Sequence, residues 1–83
     1  MAELYPFRIK GRLNKSLGFP EPPDVRRLLS DVRSKYQRQD FVIQLTPVGD
    51  TLIVVVSAEK YETASTAAGK VAEGLRQLGY LGS

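Results

Sequence analysis

Three cations stand at alternate positions near the start of this chain: Arg8, Lys10 and Arg12, in the run Tyr5-Pro6-Phe7-Arg8-Ile9-Lys10-Gly11-Arg12-Leu13. In extended backbone, alternate side chains share a face and lie about 6.6 Å apart, close to the phosphate spacing of an extended nucleic-acid strand. Such a row can track a polyanion, with Lys15 lengthening it. Neutralising three phosphates gives a salt slope of only about −2 to −3, so the row alone binds weakly. The same pattern has a second use: charge along an exposed strand edge discourages pairing with other chains.

The other residue types argue against catalysis. The chain has no histidine, which removes the commonest general base and metal ligand, and no cysteine, which removes thiolate chemistry and disulfides. Asp40, Asp50, Glu59 and Glu62 have no metal-ligand spacing. Asn14-Lys15-Ser16-Leu17-Gly18 follows a strand-like run, yet its single glycine matches neither a P-loop nor a dinucleotide fingerprint. Pro20, Pro22 and Pro23 also hold that loop away from the next helix. No metal and no cofactor is expected. Arg26, Arg27, Arg33, Lys35 and Arg38 cluster in the linear sequence but scatter around a helical wheel, as a solvated face does.

The elements that must carry the row follow from periodicity. Phe7, Ile9 and Leu13 alternate against Arg8, Lys10 and Arg12, which predicts a half-buried strand over 5–13, here β1. Pro6 and Gly11 suit an edge position. Residues 14–23 are dense in turn formers. Val25, Leu28, Leu29, Val32 and Tyr36 form an apolar stripe that predicts a helix over 24–38, α1, with proline in its first turn and Asp24 at its positive end. Two β-rich runs at 41–46 and 51–57, β2 and β3, flank Pro47-Val48-Gly49-Asp50. A turn at Gly49-Asp50 sets Leu45 opposite Val54, Ile43 opposite Val56 and Gln44 opposite Val55, sorting the larger apolar residues onto one face. Tyr61, Ala64, Ala67, Ala68, Val71, Leu75 and Leu78 predict a second helix over 60–78, α2, capped by Gly79 in the left-handed conformation.

The order β-α-β-β-α in 83 residues implies one α+β domain. A right-handed crossover with β3 inserted between β1 and β2 gives a two-layer split β-α-β, a ferredoxin-like plait with antiparallel order 1-3-2 and a fourth strand absent or vestigial. A KH-like arrangement is the alternative. β3, apolar on both faces, belongs in the centre. The sheet face away from the helices then carries Arg8, Lys10 and Arg12 beside Val42, Gln44, Ile53 and Val55.

Two functions fit that face. One is a non-enzymatic module that contacts the backbone of RNA or DNA through the cations, in keeping with the net charge of +3. The other is an assembly or adaptor protein that self-associates or recruits a protein through the β1 edge and the aliphatic residues. No aromatic residue is expected on the open face, so base stacking is not. Neither a signal sequence nor a membrane-length apolar run occurs, the longest aliphatic stretch being 52–56, and a cytoplasmic location is expected.

Overall fold

The computed structural model describes residues 3–18, 20–36 and 40–82. Within them the chain runs β1 (Tyr5–Arg12), α1 (Pro23–Ser34), β2 (Phe41–Val48), β3 (Thr51–Ala58) and α2 (Tyr61–Gln77). The strands form an antiparallel sheet in the order β1-β3-β2, with both helices packed on one side, a ferredoxin-like α+β arrangement. The predicted hairpin register holds residue for residue: Leu45 pairs with Val54, Ile43 with Val56, Phe41 with Ala58 and Gln44 with Val55. Gly49 takes a φ of +63° while Asp50 stays at negative φ, the pattern of a two-residue turn with glycine first.

β3 is central because it can be buried on both sides. Leu52, Val54, Val56 and Ala58 are fully enclosed against the helices, and Ile53 and Val55 are partly covered on the other face. Val25, Leu29 and Val32 of α1 meet Ala64, Ala67, Ala68, Val71 and Leu75 of α2 in the same core. The alanines let α2 lie close to β1 and β3. No polar or charged side chain is buried among the described residues.

Several boundaries move from those expected. α1 ends at Ser34, four residues early, because the Lys35 and Tyr36 amides donate to the carbonyls of Val32 and Arg33 at 3.2 and 3.0 Å and so tighten the last turn into i→i−3 bonds. Its expected end, Arg38, lies outside the described residues. β2 continues through Pro47 and Val48. Val48 pairs with Thr51 across the tight turn, so the backbone of Pro47 points away from β3, where a missing amide costs nothing. Tyr61, expected to head the buried stripe of α2, is 57 % exposed and leans edge-on against Phe7 at 5.7 Å.

α2 ends in a Schellman motif. Gly79 has φ +87°, its amide donates to the Arg76 carbonyl at 3.0 Å, and the Tyr80 amide donates to the Leu75 carbonyl at 2.9 Å. The chain then turns back to β1, where Leu81 forms a single antiparallel bridge with Leu13. That bridge is the vestige of a fourth strand. Gly11 makes room for it, since a Cβ there would lie 2.9 Å from Leu81 Cδ2.

Candidate polyanion interface

The register builds the open face as a grid. Across β1, β3 and β2 its rows read Pro6–Ser57–Val42, Arg8–Val55–Gln44, Lys10–Ile53–Thr46 and Arg12–Thr51–Val48. The sheet thus brings Arg8, Lys10 and Arg12 into one column along β1, all exposed and spanning about 13 Å. None of the positions in this grid is a carboxylate. The nearest one in the turn is Asp50, which with Lys10, Gly11, Arg12 and Thr51 lines a shallow concavity of about 580 Å³ at the Arg12 end.

Lys15 does not lengthen the column. Its Nζ lies 4.4 Å over the ring of Tyr80, a buried side chain on the helix side of the sheet. The Tyr80 hydroxyl in turn donates to Asp24 Oδ1 at 3.2 Å, at the start of α1. Burial raises the Tyr80 pKa, and the hydrogen bond and charge of Asp24 raise it further. This Lys15–Tyr80–Asp24 chain ties the β1–α1 loop, the C-terminal return and α1 together. Nothing in the spacing of the sequence announces it.

The aliphatic residues of the alternative interface lie beside the cations but do not form one broad patch. Ile53 and Val55 are partly buried between Lys10 and Arg8 on one side and Thr46 and Gln44 on the other. Among the described residues no layer covers this face, so the covering comes from those neighbours, whose long stems can lie over apolar surface. Val42, 43 % exposed, sits a row away opposite Ser57. Gln44 is exposed.

The other described cations are elsewhere. Arg26, Arg27 and Arg33 are exposed on α1, in the helix layer behind the sheet, and Lys35 is exposed just past its end. Lys35 approaches Lys70 of α2, and the hydrogen bond and charge of that neighbour, together with desolvation, hold the Lys35 ammonium below the usual lysine range despite opposing pulls from Tyr36 and Asp31. No group of three or more His, Cys, Asp or Glu residues that could hold a metal occurs among the described residues. No helix among them is long and apolar enough to cross a membrane.

Sequence reasoning missed the phase of the backbone along β1. The Leu13 amide donates to the Asp50 carbonyl at 2.7 Å, so odd-numbered residues of β1 bond to β3. The Arg12 carbonyl accepts from the Gly82 amide and the Asn14 amide donates to the Tyr80 carbonyl, both at 2.8 Å, so even-numbered residues point outward. Pro6 is the one signal that could have given this away, because proline fits a strand only at an outward position. No protein-family model matches the chain, and no curated protein is significantly similar to it.

Proposed function

We propose that this chain is a non-enzymatic binding module that holds the phosphate backbone of a nucleic acid on the open face of its sheet, with Arg8, Lys10 and Arg12 as the contacts. A column of three cations on a face whose other grid positions are all uncharged carries this reading. Like charges in line, with no carboxylate interleaved, create a continuous positive potential that an extended polyanion can follow. Elsewhere the molecule mixes both signs, as on α1, where Asp24 and Asp31 lie among the arginines.

Contacts to phosphate fit better than contacts to bases. Among the described residues the face offers no aromatic ring for stacking, and Ile53 and Val55 beside the column give a base only an aliphatic surface. Recognition is therefore weak in sequence and strong in salt dependence.

The test is a fluorescence-anisotropy titration of a labelled oligonucleotide at two salt concentrations, with the parent and with R8Q/K10Q/R12Q. Between 50 and 200 mM salt the parent should lose about 20- to 40-fold in affinity, the value for roughly three released counterions, and the variant should lose nearly all binding. A parent protein that binds no oligonucleotide at low salt, or a variant that binds as well as the parent, would end this reading.

A further inference from the structure

Among the described residues, the outer edge of β1 is paired at one end only. The return from α2 pairs with β1, among those residues, at this end alone, with Gly82 opposite Arg12 and Tyr80 opposite Asn14. Beyond it, alternation along the ladder directs the amides and carbonyls of Lys10 and Arg8 outward, away from β3, with Pro6 at the next outward position. The two faces of this edge differ. On the open side it carries the Lys10 and Arg8 side chains. On the core side Phe7 and Ile9 remain only partly buried, although their β3 partners Val56 and Val54 are fully enclosed. Among the described residues, the edge therefore has backbone groups without a partner, positive charge above and apolar surface left partly uncovered below.

We propose that this edge takes an extended acidic strand from a partner protein, running antiparallel to β1 in the direction Tyr80 to Gly82 has begun. Residues opposite Lys10 and Arg8 form hydrogen-bonded pairs and place their side chains on the open face, so they carry carboxylates. The residue between them, opposite Ile9, faces the helices and is aliphatic, as is the one opposite Phe7. A strand of about five residues, apolar and acidic in turn, closes the plait and covers Phe7 and Ile9.

A second copy of this chain does not fit this edge. The outward positions free to pair are Pro6, Arg8, Lys10 and the amide of Arg12. Every register that matches them to their counterparts in another copy sets cation against cation or against proline, which gives repulsion or a lost bond. This site does not depend on the phosphate reading, because it uses the backbone of the edge as well as charge. The two occupants share Arg8 and Lys10, so each excludes the other.

The probe is a labelled, end-capped Val-Glu-Val-Glu-Val peptide in three forms: unmodified, N-methylated at both glutamates, and N-methylated at the second and third valines. Only the glutamate amides face β1 in the proposed pairing. The unmodified and valine-methylated peptides should bind alike, and the glutamate-methylated peptide at least tenfold more weakly, with equal charge in all three. Amide NMR shifts should centre on Arg8 and Lys10. The variant R8E/K10E should lose this peptide and bind Val-Lys-Val-Lys-Val instead. Equal affinity for the two methylated forms would reduce the interaction to charge alone and overturn the proposal, as would absence of binding by the unmodified peptide at low salt. Neither result bears on the oligonucleotide titration, which is read separately.

Discussion

Tyr80 joins three parts of the chain through one ring, with Asp24 accepting its hydroxyl hydrogen and the Lys15 ammonium over its face. Its raised pKa means that the folded protein holds the neutral phenol more firmly than the unfolded chain does. That contribution is complete below about pH 10, the ordinary tyrosine value, and is lost as the pH rises through the higher folded value. Tyr80→Phe should therefore lower the melting temperature at pH 8 and flatten its decline above about pH 10, followed by circular dichroism. An alkaline decline as steep as the parent's would show that another group is responsible. Gly49 gives a second test at this scale. Its φ of +63° opens the β2–β3 turn, and a side chain there is disfavoured by about 1–2 kcal/mol, so Gly49→Ala should cost that much in denaturant unfolding. The turn glycine was legible from its place between two β-rich runs. The capture of Lys15 by Tyr80 was not, because the partner comes from the far end of the chain and only the completed fold brings the two together.

At the scale of elements, α2 carries two glycines whose replacement should act in opposite directions. Gly69 is exposed, with nothing within 4 Å of where a Cβ would sit, and an alanine there should stabilise the helix by about 0.5–1 kcal/mol. At Gly74 a Cβ would overlap the terminal methyl groups of Leu28, because this is where α1 and α2 pack together. The gain in helix propensity is about 1 kcal/mol and overpacking costs about 1–3 kcal/mol, so Gly74→Ala should be destabilising by roughly 1 kcal/mol. Adding Leu28→Ala should remove most of that penalty, and a double-mutant cycle without coupling would place the clash elsewhere. Periodicity identified both helices and all three strands, because each buries one face and the buried positions repeat at the element's own period. It misjudged ends. The last turn of α1 tightens although the apolar stripe continues to Tyr36, and β2 runs on through Pro47 because its direction relative to β3, not its residue type, decides whether proline fits. The candidate column was legible for the same reason as the strand, since one alternation sets both the core positions of β1 and the cations opposite them.

For the whole molecule the question is why a three-stranded sheet with two open edges does not build longer sheets. Each edge carries a proline at an outward position, Pro6 in β1 and Pro47 in β2, and β1 adds Arg8, Lys10 and Arg12. Proline removes one bond from any intermolecular ladder, and in self-pairing registers the cations meet either one another or proline, so both devices act against self-association. The sequence alone left a homo-oligomer through β1 open, since edge exposure was legible but the phase of its backbone was not. With the phase known, the parent should sediment as a monomer of 9.2 kDa at micromolar concentration in low salt. Removing the charge while keeping the strand should release association. In R8T/K10T/R12T the edge keeps its unpaired backbone at positions 8 and 10 and gains residues that favour strands, with no repulsion left to oppose pairing. Its mass should rise with concentration, whereas the same variant with Ile9→Pro, which breaks the strand between those positions, should not associate through this edge. A monomeric threonine variant would show that charge is not what guards β1, and would leave the column only the proposed binding roles.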